Sequence, residues 1–377
     1  MRKLLLAGAA ALIAAGPALA ETKIGMITTL SGGGSHLGID VRDGFLLAMK
    51  QAGNPAEVLV RDDARKPDVA KSHSDELLQK EKVDIMTGLI WSNISIALVP
   101  QMVRKGVFYL SPNAGPSKLA GKLCHENYFN VSWQNDMLPE AMGKYMKEAG
   151  LKSPVLLAPN YPAGTDMVNG FKRFFGTPNG EIFTKLGQKD YAAEIAQIRA
   201  SGADSVFYFL PGGMGIAFMK QYSAAGVDIP VYGPAFSFDE VILGAIGDAA
   251  LGVVNSSQWA KDYDSAVNQA FVESFTAEYG RAPTLYANQG FDTGLLVANA
   301  LSTADPKSDP DGFRAALKAA DVEFTRGPFR FNTNNHPIQD IYVRQVVSGP
   351  DGKPTNKLLG VAIKDHADAY AGDCGLK

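Results

Sequence analysis

The chain has 377 residues, 46% of them hydrophobic, and a formal net charge of −3 from 36 basic and 39 acidic side chains. That length and apolar content suit two cored units of modest size, and the slight acidity excludes a basic nucleic-acid-binding surface. The five histidines, at 36, 73, 125, 336 and 366, show no ligand spacing, and Cys124 stands beside His125 too closely to make a site alone, so no metal or other cofactor is expected.

The first twenty residues, MRKLLLAGAAALIAAGPALA, place Arg2 and Lys3 before a short apolar run that ends in Ala18-Leu19-Ala20. This reads as a cleaved secretory signal peptide over residues 1–20, because the run is too short to span a bilayer. Its removal leaves a net charge of about −5. In an oxidising compartment, an even cysteine count favours one disulfide, Cys124–Cys374.

Beyond residue 20, strand-like and helical patterns alternate. Strands are predicted at 23–28, 57–61, 83–87 and 107–111, with helices at 38–53, 67–82 and 93–105 between them. The pattern then restarts, with strands at 154–158, 181–186, 205–210, 229–232 and 252–255 and helices near 164–175, 190–201, 213–225 and 237–247. The alternation implies an α/β fold made of two successive units, each a mostly parallel sheet flanked by helices. Helices at 265–279, 285–303 and 310–320 have no strands of their own to cover. They are expected to return to the first unit, before GPFRFN, DIYVRQVV and KLLGVAIK close the chain as strands.

The loop TTLSGGGSHLG follows the first strand, at the end of a sheet where ligands of such folds bind. Neither G-x-x-x-x-G-K-[ST] nor a spaced dinucleotide fingerprint is present, and FLPGGMGIAF puts Phe218 where a third small residue belongs. The glycines are read as allowing a tight turn and close backbone approach to a ligand.

ITTLSGGGSHLGIDVRDGFLLAM resembles the opening of the periplasmic branched-chain amino-acid-binding protein family, the type I solute-binding proteins of ABC importers. VLVRDDARKPDVAKSHSDELLQKEKVDIMTGLIWSNISIALVP, FYLSPNAGPSKLAG, APNYPAGTDMVNGFK and VYGPAFSFDE resemble later stretches of that family in the same order. The resemblance implies a two-lobed protein that closes on a small carboxylate. One lobe would hold 21–133 and 262–328, the other 134–261 and 329–364, with 365–377 as a tail. It also implies a periplasmic location, a membrane permease as partner and a monomer.

By the same resemblance, Trp91, Ser92 and Asn93 face the ligand carboxylate. Independently, a helix beginning near Asn93 offers unpaired N–H groups to an anion. Tyr161, Phe236 and Tyr286 fall at loops that the family uses, and Ser31, Leu37, Asn113, Ala114 and Gly212 are carried to the cleft with them. Leucine-binding members meet the ammonium group with an acid and a threonine, and here Ala235 and Gly115 stand at those places. A carboxylate site without an ammonium site suits an aromatic acid of the benzoate or cinnamate type. A branched-chain amino acid, or a sensor lobe of the same fold, is the alternative. An exported enzyme is disfavoured: G-x-S-x-G and H-E-x-x-H are missing, and Ser31 and His36 share a loop without an orienting acid.

Overall fold

The computed structural model describes residues 22–376; the segment read as a signal peptide lies outside the described residues. The first unit contains β1 (Lys23–Thr28), α1 (Ser35–Gln51), β2 (Glu57–Asp62), α2 (Pro67–Glu76), β3 (Ile85–Thr87), α3 (Ser92–Val103), β4 (Phe108–Ser111), α4 (Ser117–Ala120) and β5 (Tyr128–Asn130). Its strands form one parallel sheet in the order β2-β1-β3-β4-β5.

The second unit contains α5 (Met137–Glu148), β6 (Pro154–Pro159), α6 (Pro162–Phe175), β7 (Gly180–Thr184), α7 (Ala192–Ala200), β8 (Ser205–Tyr208), α8 (Gly213–Ala224), β9 (Val231–Pro234), α9 (Glu240–Ile246) and β10 (Val254–Ser257). Its parallel order, β7-β6-β8-β9-β10, repeats the winding of the first sheet. Strands β4, β6 and β8 are buried along their whole length, as continuous apolar runs between two layers of helix require.

The three late helices, α10 (Ala266–Tyr279), α11 (Leu285–Thr303) and α12 (Pro310–Ala319), return to the first lobe. The Tyr279 hydroxyl donates to the Asp43 carbonyl at 2.8 Å, and Arg281 pairs with Asp40 and Asp43 at 2.7 and 2.6 Å. The ring of Phe313 meets Phe108 edge-on at 4.8 Å. The chain then crosses again into β11 (Phe329–Phe331), β12 (Pro337–Ser348) and β13 (Pro354–Ala367), which extend the second sheet antiparallel through β12 on β10.

Three crossover segments therefore join the lobes, following β5, β10 and α12. Buried Arg326 ties two of them, pairing with Asp292 of α11 at 2.9 Å and donating to the Ser132 carbonyl at 3.0 Å. Gln339 donates to the same carbonyl at 2.6 Å.

The structure departs from the sequence reading at six elements. Strand β5 and helices α4 and α5 were not foreseen. The helix expected over 67–82 is α-helical only to Glu76 and ends in a single π turn, Leu77–Glu81. The helix expected at 237–247 starts at Glu240, because the Asp239 carboxylate accepts the N–H groups of Val241 and Ile242 at 2.9 and 3.0 Å. The last strand runs to Ala367, three residues past the expected end of the second lobe at 364.

Cys124 and Cys374 are bonded, with Cα atoms 5.7 Å apart and a sequence separation of 250. Cys124 follows α4 of the first lobe, and Cys374 lies beyond β13 of the second sheet. Unreduced, alkylated protein is expected to carry no free thiol by mass spectrometry. Cys374→Ser should lower the unfolding free energy by about 2–4 kcal/mol; an unchanged melting temperature would show that the staple constrains little.

Candidate functional site

Sheets wound in the order 2-1-3-4-5 have a switch point between the strands whose following connections leave in opposite directions, and ligands sit outside it. Here the two switch points face one another. One is formed by the ends of β1 and β3, the other by the ends of β6 and β8. Between them lies a cavity with about 310 Å³ of atom-free space, part of it open to solvent.

The first lobe contributes Leu37 from α1, Ile90, Trp91 and Ser92 before and into α3, Asn113 and Ala114 after β4, and Tyr286 of α11. The crossover after β5 supplies Trp133 and Asn135. The second lobe supplies Tyr161 and Ala163 at the start of α6, Phe209 and Pro211 after β8, and Phe236 after β9.

Six of these side chains form a connected aromatic wall. Trp91 and Tyr161 lie 6.4 Å apart between ring centres, and Tyr161 stacks on Phe209 at 6.3 Å with planes 12° apart. Phe209 meets Phe236 edge-on at 6.1 Å, while Phe236 touches Trp133 at 3.9 Å and Tyr286 at 6.1 Å. Most of the wall is shut off from solvent, with Trp91, Phe236 and Tyr286 2%, 2% and 1% exposed, while Tyr161 is partly exposed. Trp91 is fixed in orientation, since its indole N–H donates to Thr29 Oγ1 at 2.8 Å and Thr29 donates to Asp63 at 2.7 Å.

The polar groups are few. Trp91 occupies the N-cap position of α3 without a side-chain cap, which leaves the first backbone N–H groups of the helix for another acceptor. Ser92 is the first residue of that helix rather than its cap. Its Oγ accepts from Asn135 Nδ2 at 3.3 Å, so its own hydrogen is available to an anion. Asn135 also donates to Asp166 at 2.8 Å, and Asp166 accepts from the Ser117 hydroxyl and amide at 2.7 and 3.0 Å, a link between the lobes. Burial raises the Asp166 pKa, while the Ser117 and Asn135 bonds pull against it. Asn113 donates to Gln289 at 2.7 Å. Among the described residues, no lysine, arginine or histidine lines this cavity.

At the rim the lobes meet through backbone. Gly34 has φ 101° and Gly212 has φ 65°. A Cβ on Gly34 would lie 3.1 Å from the Trp91 ring, and one on Gly212 would lie 3.5 Å from the Gly34 Cα. The glycine loop thus serves the approach of one lobe to the other. Beside it His36 Nε2 stands 3.7 Å from Asp239 Oδ2, which is wholly buried in the second lobe. Burial alone would lower the His36 pKa, but the nearby Asp239 carboxylate and the charge of Asp40 outweigh it and raise it. Asp40 itself is pushed up to about 6, chiefly by burial, against the Thr284 hydrogen bond and Arg281.

Of the residues singled out in the sequence, Leu37, Trp91, Ser92, Asn113, Ala114, Tyr161, Phe236 and Tyr286 line the cavity together. Ser31 is exposed in the glycine loop. Asn93 and Ala235 stand behind the wall, Gly212 is at the rim, and Gly115 is packed under Asn135, which accepts its N–H at 3.3 Å. Trp133, Asn135, Phe209, Ile90, Ala163 and Pro211 were not anticipated. Trp133 and Asn135 lie in a crossover without periodic pattern, and Phe209 ends an apolar run that reads as strand interior.

A family model described as Periplasmic binding protein matches residues 21–353. Leu/Ile/Val-binding protein homolog 6 of Brucella melitensis is 28% identical, over 97% of this chain and 96% of that protein. A solute-binding protein of an ABC transporter from R. palustris, solved in complex with benzoate, is 32% identical with a TM-score of 0.89, covering 95% of this chain and 100% of the other. A second such protein, from Rhodopseudomonas palustris BisB5 and solved with 3,4-dihydroxybenzoic acid, is 29% identical with a TM-score of 0.82, covering 91% and 98%.

The His36–Asp239 contact generates a pH dependence. Because the folded-state pKa of His36 is raised, its contribution is complete below the ordinary histidine value of 6.5 and is lost as pH rises through the raised value. His36→Gln should lower the stability of the closed protein by up to about 1 kcal/mol in mild acid. The gap in melting temperature between the two proteins should narrow in alkali, and a gap constant across that range would exclude the pair as a titrating contact.

Proposed function

The chain belongs to the periplasmic binding protein family, and we propose that it is the extracytoplasmic receptor of an ABC importer, capturing a small aromatic carboxylic acid of the benzoate or cinnamate type. The observation that carries this reading is the cavity wall, in which six aromatic rings surround a space whose polar groups suit one carboxylate. A flat ring gains contact on both faces and at its edges. Its carboxylate would take the Ser92 hydroxyl and the N–H groups at the start of α3, where the helix dipole favours negative charge. Asn113 would serve a ring hydroxyl or assist at the carboxylate.

The wall offers an ammonium group no carboxylate. Asp166 is held by Ser117 and Asn135 behind the surface, and Asp239 caps α9 and faces His36. No side chain fits at position 115, since a Cβ there would lie 2.1 Å from the Trp133 carbonyl oxygen. An α-amino acid would therefore lose the hydration of its cation and gain too little. The competing reading, a branched-chain amino acid, draws support from the name of the Brucella relative and requires Asp239 to leave its cap. A ligand would close residues 21–133 and 262–328 against 134–261 and 329–364 about the crossovers. A membrane permease would receive the closed form, whereas a sensor would pass it to a signalling partner.

Ligand at about a hundred times its dissociation constant should add about 2.7 kcal/mol to stability. A clear rise in melting temperature is expected with benzoate, hydroxybenzoates or cinnamates, and little with leucine, isoleucine or valine. Ser92→Ala should weaken the aromatic acid by about 1.5–3 kcal/mol through loss of a charge-assisted hydrogen bond. A strong rise with leucine and none with any aromatic acid would replace the ligand assignment by the amino-acid reading.

A further inference from the structure

A second hollow adjoins the aromatic cavity and shares Pro211 with it. It opens to solvent between Gly33 and Arg65 of the first lobe and Gly187, Gln188 and Lys189 of the second. Its charged lining side chains are both cations. Among the described residues, no carboxylate lies within 4 Å of the Arg65 guanidinium or of the Lys189 ammonium group, although the chain as a whole is acidic.

Arg65 is placed there at a conformational cost. Ala64 and Arg65 have φ of 48° and 59°, a left-handed pair without a glycine, and such backbone persists only where its surroundings hold it. Two carboxylates do so: Asp62 accepts the N–H groups of Leu30 and Ala64, each at 2.8 Å, and Asp63 accepts that of Arg65 at 2.8 Å. Asp63 is also the group that fixes Thr29 and, through it, Trp91. One buried carboxylate thus sets both the Arg65 backbone and the ring that forms the cavity wall. The Arg65 guanidinium lies 5.5 Å from the centre of that ring. Its Nη1 is 3.4 Å from the Gly33 carbonyl oxygen, and a Cβ on Gly187 would lie 3.0 Å from Nη2. The guanidinium therefore spans the seam between the lobes at the mouth of a cavity that has no cation of its own.

We propose that Arg65, with Lys189 opposite, forms an outer carboxylate-binding station through which an aromatic acid passes before it enters the inner cavity. This rests on the aromatic-acid reading above. An acidic protein repels anionic ligands at a distance, and the inner cavity meets the carboxylate only with dipoles at short range. Two unpaired cations at the entrance supply the missing attraction, and field focused in a cleft raises association rates. After entry, Arg65 stacked on Trp91 closes the seam. The station selects carboxylates over neutral aromatics of the same shape by rate of capture.

The test follows cavity tryptophan fluorescence by stopped flow, with benzoate and its neutral counterpart benzamide as probes, at about 10 mM and about 1 M ionic strength, where the screening length falls from about 30 to about 3 Å. For the wild type, benzoate association should slow several-fold in high salt, and benzamide association should not. Arg65→Gln with Lys189→Gln should slow benzoate association by about tenfold at low salt and remove its salt dependence, without changing benzamide. Arg65→Lys, which keeps the charge, should retain most of the salt dependence, and Lys189→Gln alone alters only an exposed side chain, so its partial loss cannot be a folding defect. Wild-type rates and salt dependence in the double variant, or an effect confined to dissociation, would overturn the station and leave the ligand reading standing. No response of the wild type to benzoate would overturn both.

Discussion

A guanidinium removed from water must keep its partners, because an uncompensated buried charge costs several kcal/mol. Arg326 is such a group, and its partners lie on segments that would otherwise be free to slide: Asp292 on α11, the Ser132 carbonyl in the first crossover, and Tyr342 of β12, whose hydroxyl donates to the Arg326 carbonyl at 2.7 Å. The first and third crossovers are thereby one mechanical body. Bending between the lobes has to happen around this knot. Trp133 is the neighbour of Ser132, so one ring of the aromatic cavity is anchored directly to this knot.

The cavity's chemistry follows from the winding. Two sheets with the same strand order put their switch points at corresponding ends, and the crossovers turn those ends toward each other. Strand interiors carry the buried apolar cores, while most aromatic side chains of the wall sit where strands end and helices begin. A site assembled from such loops can be apolar on its faces and still handle an anion, because helix ends bring partial charge without a cationic side chain. Full charges are kept to the rim, where Arg65, Lys189, His36 and Asp239 remain partly in reach of solvent or of one another.

The fold was legible where periodicity was. Most strands and helices of both units appear in the sequence because each buries a regular face, and the late helices were assigned to the first lobe because they had no strands of their own. Short or interrupted elements were not legible: β5 has three residues, and α5 carries Pro139 and several polar side chains. Trp91, Tyr161, Phe236 and Tyr286 could be singled out because the family resemblance carries them to ligand-facing loops, and Trp133 could not, because it lies in a crossover without a repeating pattern. The pairing of His36 with Asp239, and of Asp166 with Ser117, belongs to the closed arrangement of two lobes. In sequence Asp239 falls inside the helix expected at 237–247, where it need not face the cleft, and its local role, capping α9, hides its distant one.

The disulfide sets the order in which the molecule can be completed. Cys374 lies beyond the last strand of the second sheet, and Cys124 follows α4 of the first lobe, 250 positions earlier, so in a chain delivered from its N-terminus the earlier thiol waits, unpaired, until the strands of both sheets have emerged. The chain holds only these two cysteines, so a waiting Cys124 has no wrong intramolecular partner. Its only errors are bonds to other molecules. The bridge also joins residues that meet only after the first lobe is formed and the last strand has been laid on the second sheet. Oxidation therefore works as a seal on a finished assembly and not as a guide to it, and a chain that stalls with its final strands undocked would be marked by a reactive thiol.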